Sequence, residues 1–449
     1  MYTRNEFLVY MSTTLRLQEW TKERLSEFKE RENHTSHDSS IKGLLRDHEL
    51  LRVLQNKPYN TTTTRTIGGA VGPTWGPEAY VGGIGSGKTY TTKVHARDLI
   101  EEPNSVSVFI IDPLNSYNVF ATDLDATILD ETTQRSFTPF DFQRGDTKQS
   151  SLANAITEKS TFIADHLTLT AQVYAEQEET LEILERQSTT QLIQAVVENI
   201  IKTTSSEHDS ENLSDIELSL NTLQDEFDQI GTDNTDSYHS LPDRIPDSEG
   251  KKYPIEITAR TLSDILDVIE NESQMGENSL ISQRNREREI DNVVHAPLPQ
   301  ELMNSNSKTV SWRMATELLT FFEMGKSVNG PVVIFIDEAH HLTSNPYSQR
   351  ILAEVMSVGR KYNISTRPVF QKTVELLTED ETSVMEWDRV HFHQCSLVDG
   401  VVSDSYGFSD GQHSFLQHAD KGSTDNASEQ LIYDVVNDVK TIRCLSGNT

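Results

Sequence analysis

Cysteine is almost missing from this 449-residue chain, which has only Cys395 and Cys444. With no C-x-x-C pair and no His/Cys set nearby, neither a disulfide framework nor a structural zinc site is expected, and the two read as ordinary thiols of a reducing compartment. Long apolar runs are missing too. No stretch of about 18 apolar residues occurs, and the N-terminal MYTRNEFLVYM lacks the basic region, apolar stretch and cleavage site of a signal peptide. The expectation is a soluble, intracellular protein with no direct membrane insertion, any membrane role coming through a membrane-bound secretion or transfer partner. Basic residues are scarce: 39 Lys and Arg stand against 70 Asp and Glu, a formal charge of -31. At about 1 M salt the Debye length falls to about 3 Å, so a dense acidic surface is tolerable there, and the composition reads as that of a halophile. In such salt counterion release loses its force, and an acidic balance does not exclude DNA.

What is present is a chain long enough for one large or two ordinary domains. Residues 1–75 hold 11 basic and 9 acidic residues, the one part that is not strongly acidic. They read as a helical segment, with a charged helix over Glu19 to Glu32 and a second over Ile41 to Leu54, ending at the Gly/Pro-rich GGAVGPTWGP. Short β-type runs follow at Ala79 to Val81, Ser105 to Ile111, Ala126 to Leu129, Val332 to Ile336, Thr366 to Phe370, Val390 to His393 and Val439 to Cys444. Separated by turn and helix signals, they predict an α/β fold with a parallel sheet. From about Lys148 to Ser311 helical periodicity takes over (Leu181, Leu184, Leu192, Ile193, Val196; later Leu262, Ile265, Leu266, Ile269), and the acidic stretches Thr203 to Glu211 and Gly231 to Lys252 read as linkers. The predicted organisation is an N-terminal helical segment (1–75), a first core part (76–147), an acidic α-helical insertion (148–310) and a second core part (311–449).

Gly82-Gly83-Ile84-Gly85-Ser86-Gly87-Lys88-Thr89 matches G-x-x-x-x-G-K-[ST] between a strand and a helical stretch that opens at Tyr90. Glycines let successive backbone N–H groups converge on phosphate, and the helix N-terminus adds a favourable dipole. Lys88 is then placed to reach the β- and γ-phosphates of ATP, and Thr89 to ligate Mg²⁺. The run Val332 to Ile336 followed by Asp337 and Glu338 is a buried strand ending in two carboxylates, with Asp337 at the sheet edge where ligands of α/β sheets bind. Asp337 suits Mg²⁺, and Glu338 suits activation of the attacking water. Arg360 and Gln371 are further candidates, for transition-state charge and for sensing the γ-phosphate; on spacing alone they read as a surface arginine and a loop glutamine. His340 and His341 are adjacent rather than four apart, which argues against a metal pair, and His391 and His393 read as strand histidines. DEAH over 337–340 evokes a DEAH-box helicase, but Asp337 lies 249 positions after Lys88 and no Q-x-x-G-R-x-G-R motif occurs.

The ordered set IGSGKT, IIDPLNSY (110–117), TPFDF (138–142), VVIFIDEAHHL, GRKYNIS (359–365) and VFQKTVEL (369–376), with YGFSDGQHSFL and VKTIRCL near the C-terminus, resembles the HerA/FtsK superfamily. Within it the pattern is similar to the ATPases of conjugative and type IV secretion systems and to archaeal HerA helicases. The resemblance covers about half the chain. It implies a RecA-like core with an extra strand between the two Walker strands, a homo-oligomer in the form of a hexameric ring, and action on double-stranded DNA or in transfer. It further implies that Asp112 supports the nucleotide site, that Arg360 acts in trans and that Gln371 is the motif glutamine. Three functions stay open at this point: a motor moving double-stranded DNA, a secretion-type ATPase acting on protein cargo, and a non-motor ATP switch.

Overall fold

A computed structural model describes Ser26 and residues 76–101, 106–129, 152–175, 177–207, 218, 220–232, 244–246, 252–275, 292–303, 307–376, 387–395, 404–419 and 427–446. The helices expected before residue 75, apart from Ser26, and the TPFDF run at 138–142 lie outside these residues.

The strands in chain order are β1 (Glu78–Val81), β2 (Ser107–Asp112), β3 (Thr127–Ile128), β4 (Arg244–Pro246), β5 (Lys252–Pro254), β6 (Val293–Pro297), β7 (Val332–Ile336), β8 (Ile364–Phe370), β9 (Arg389–Phe392), β10 (Ala427–Asp434) and β11 (Val439–Ser446). Nine of them form one sheet in the order β11-β10-β9-β1-β8-β7-β2-β6-β3. The strands from β9 to β3 run parallel, and β10 and β11 close the other edge as an antiparallel hairpin. As the resemblance implies, one strand, β8, separates β1 from β7.

The sheet follows from period-two burial on both faces, which makes its central strands read as unbroken apolar runs. In β7, Val332, Ile334 and Ile336 enter the larger core, and Val333 and Phe335 enter the opposite one. β2 divides the same way, Phe109 and Ile111 against Val108 and Ile110. The larger core is completed by residues of the helices Ser307–Ser327 and Pro346–Gly359, and the other by residues of Lys88–Glu101 and Asn118–Asp123. Pro368 sits within β8, between two neighbouring strands. It faces Ile336 of β7, while pairing with β1 is confined to Val369 and Phe370, after the residue that lacks an N–H.

The helical stretch contains the helices Leu152–Tyr174, Glu178–Leu184, Gln187–Glu207, Leu220–Gly231 and Ile255–Met275, gathered around their own apolar core. Four features depart from the sequence reading. Val293–Pro297 is no part of a helix but a strand of the main sheet, between β2 and β3. Thr203–Glu207 continues a helix whose Ile200 and Ile201 are buried, so the chain stays helical past the last apolar anchor. Inside the supposed linker 231–252, Arg244–Pro246 pairs antiparallel with Lys252–Pro254. β10 was not anticipated either, since ASEQLIYD is half polar.

The helix Leu152–Tyr174 has two working faces. Phe162 and Leu169 join the larger sheet core, while Ile156, Ile163, Ala164 and Leu167 join the helical core. On this helix His166 is buried, with Nε2 2.9 Å from Thr316 Oγ1, and burial pushes its pKa down to about 4. An unfolded histidine takes up a proton near pH 6.5, so between that pH and 4 the unfolded chain binds more protons and stability falls as pH falls. Asp165 is displaced upward to about 6, by burial first, and contributes stability that is lost as pH rises from its ordinary range. The two oppose each other over one window. His166→Gln is therefore expected to lose less stability than the native chain between pH 7 and 5, measured as the difference between denaturant melts at each pH; parallel losses would refute the assignment.

Candidate nucleotide site

At its C-terminal end β1 passes into the glycine loop, and the helix Lys88–Glu101 begins at the motif lysine. Gly85 and Gly87 take φ values of +69° and +92°, a region that side chains other than glycine enter at a cost. Gly82 is required for a different reason: a Cβ there would lie 2.7 Å from both His393 Cβ and Ser86 Oγ. The loop is tied to the sheet by Gly82 N donating to Phe370 O (3.3 Å) and Gly83 N to Gln394 O (2.9 Å). The end of β8 and the segment just after β9 thus hold it. Ile84 at its tip is exposed.

Lys88 is buried, and its Nζ donates to Gly82 O (2.6 Å) and Gly83 O (3.0 Å). Burial lowers its pKa, opposed by the charges of Glu338 and Asp337, which places both carboxylates in its electrostatic neighbourhood. Asp337 follows the last residue of β7 and is buried; its pKa rises to about 6, through burial first and then the adjacent Glu338. Glu338 takes φ +51°, unusual for a residue with a side chain, and such strain gathers where a side chain must point one way. Gln371 Nε2 donates to Glu338 Oε2 at 2.5 Å, and His340 Nδ1 lies 3.2 Å from the same oxygen. Burial alone would raise the Glu338 pKa, but the neighbouring His340 and the hydrogen bond from Gln371 outweigh it and the net displacement is downward. Glu338 in turn raises the pKa of His340. Gln371 is itself oriented by the turn after β8, where Glu375 Oε2 accepts from Gln371 N (3.0 Å) and Lys372 N (3.1 Å).

Lys88, Asp337, Glu338 and Gln371 therefore gather at one end of the sheet, and the order β1-β8-β7 explains why. Thr89 and Tyr90 lie in the first turn of the loop's helix and are half-buried. Asp112 ends β2 and is fully buried. Arg360 is not brought to this cluster within one chain. It precedes β8, whose seven residues span roughly 23 Å, and it pairs with Asp388 before β9. His391 is a satisfied strand histidine, between Glu78 Oε2 and Gln430 Oε1 at 2.9 Å each.

Sequence reasoning did not single out His295. It is fully buried on β6, with Nε2 2.9 Å from Asp112 Oδ2. No local pattern marks it, because its partner lies 183 positions away.

No protein-family model and no curated protein matches the chain. Among solved structures, VirB4 of Thermoanaerobacter pseudethanolicus superposes with a TM-score of 0.55 at 15% identity, over 83% of this chain and 89% of that one. The unbound bacterial conjugative coupling protein TrwB gives 0.39 at 11% identity, over 82% and 77%. Plasmid coupling protein TrwB in complex with ADP and Mg²⁺ gives 0.39 at 12%, over the same shares. With β8 between the strands that end in Lys88's loop and in Asp337, the chain has a RecA-like P-loop core, the fold it shares with VirB4.

Proposed function

We propose that the chain binds Mg-ATP on Gly82 to Thr89 and hydrolyses it. The observation that carries this reading is the convergence of the buried Lys88, the paired acids Asp337 and Glu338, and Gln371 beside a glycine loop whose φ values suit a phosphate cradle. The donor set fits the groups: backbone N–H groups of 82–89 and Lys88 for the phosphates, with Asp112 in support, and Thr89 with Asp337 for Mg²⁺, a hard cation that prefers oxygen. Bound Mg²⁺ would neutralise charge developing on the phosphates. Glu338, its pKa held down by its partners, is ready to accept a proton from water, and Gln371 fixes the carboxylate that does so. Arg360, out of reach within one chain, is exposed and would act on the site of a neighbouring copy, which supports a ring-shaped homo-oligomer, hexameric by the family resemblance.

Double-stranded DNA is the favoured cargo, by the motif resemblance; protein cargo and a non-motor ATP switch are the alternatives, kept open by the charge of -31, which repels DNA where salt does not screen it. Steady-state ATP hydrolysis in molar KCl, with and without duplex DNA, separates them. Several-fold stimulation by DNA is expected. Hydrolysis indifferent to DNA would move the reading to the secretion or switch function, and no hydrolysis at all would end the ATPase reading.

A further inference from the structure

After β2 the chain Asp112-Pro113-Leu114-Asn115-Ser116-Tyr117 turns back over its own first residue, with Asn115 at φ +58°. Asp112 Oδ1 accepts from Ser116 N (2.9 Å), and Oδ2 accepts from Tyr117 N (2.8 Å) and faces His295 Nε2 (2.9 Å). The turn is thereby locked. Its result is the placement of one hydroxyl, Ser116 Oγ, 2.8 Å from Asp337 Oδ2 and 3.2 Å from Asp112 Oδ1. A serine has one hydrogen to donate, and the nearer acceptor is Asp337. Among the described residues no other side chain donates a hydrogen bond to Asp337, whose further bond is to the backbone of Glu338. Ser116 is also fixed from the loop's helix, since Lys93 Nζ donates to Ser116 O at 2.6 Å and Tyr117 OH meets Thr92 Oγ1.

We infer that Ser116 is a positioning residue: its hydroxyl sets the orientation of the Asp337 carboxylate toward Mg²⁺, and Asp112 with His295 holds Ser116 in place. The inference rests on the Mg-ATP reading and adds to it a residue remote from both Walker motifs in sequence. A carboxylate on a strand end keeps rotational freedom that costs affinity for a cation with strict octahedral demands, and a hydrogen bond to one of its oxygens restricts that freedom. Three elements meet at Ser116: its own turn after β2, the helix after the glycine loop through Lys93, and the end of β7 through Asp337.

The test uses the full chain in molar KCl, with Mn²⁺ as the spectroscopic probe for the metal site. Binding of Mn²⁺ beside a non-hydrolysable ATP analogue is followed by electron paramagnetic resonance, and binding of a fluorescent ATP analogue is measured in EDTA. Ser116→Ala is expected to weaken Mn²⁺ by about tenfold, the scale of one hydrogen bond to a charged group, without changing metal-free nucleotide affinity. Ser116→Thr, which keeps the hydroxyl, should bind Mn²⁺ as the native chain does. Native-like Mn²⁺ affinity in Ser116→Ala would overturn the inference, and so would an equal loss of metal-free nucleotide affinity, which marks general damage to the fold. A native chain that binds the nucleotide neither with metal nor in EDTA would overturn the Mg-ATP reading itself.

Discussion

Glu338→Gln is expected to lower ATP hydrolysis by about 10²- to 10⁴-fold, the contribution typical of a positioned general base, while ATP binding stays near that of the native chain. Glutamine has the size of glutamate and can occupy the same strained backbone at φ +51°, but it accepts no proton at neutral pH. The two donors that face Glu338 Oε2, Gln371 Nε2 and His340 Nδ1, are suited to a charged acceptor. Single-turnover hydrolysis together with equilibrium nucleotide binding checks this. A variant that hydrolyses at the native rate would remove Glu338 from the chemistry, and one that fails to bind would assign it to nucleotide affinity instead.

Lys88→Ala is expected to weaken ATP binding by roughly 10- to 100-fold, the equivalent of about 1.5–3 kcal/mol for one charge-assisted hydrogen bond, and to suppress hydrolysis with it. The ammonium group is buried against the carbonyl oxygens of Gly82 and Gly83, and its pKa is lowered by that burial. The cost of desolvating the lysine is thus borne by the folded chain before nucleotide arrives, and alanine forgoes both that cost and the cation. The variant should therefore fold at least as well as the native chain, so that calorimetric titration with ATP reads the missing interaction and not a damaged core. Unchanged affinity would place the phosphates elsewhere.

The parts of this site that sequence reveals are those whose chemistry and spacing are local. IGSGKT fits within one loop and the start of its helix, VVIFIDE within one strand and its following turn, and Gln371 stands one residue beyond a strand end; all of them meet because β8 lies between β1 and β7. The missed parts depend on distant partners. β6 is a five-residue run, VVHAP, following the charged REREIDN, and only its place between β2 and β3 shows it to be core. His295 gains its meaning from Asp112, and Ser116 from a turn that bends it across to Asp337, 221 positions away. Arg360 is a converse case. Its motif position was legible, but one chain sets it at the far end of β8 against Asp388.

The helix Leu152–Tyr174 gives Phe162 and Leu169 to the larger core, Phe162 against Phe322, and Ile156, Ile163 and Leu167 to the helical core. The helical unit is consequently not a detachable module. Excising it to obtain a minimal ATPase would uncover the helices Ser307–Ser327 and Pro346–Gly359 and expose apolar surface, and the trimmed chain would aggregate sooner than report on the unit's role. Point substitutions on its outer helices, which leave Leu152–Tyr174 in place, are the way to ask what that unit does.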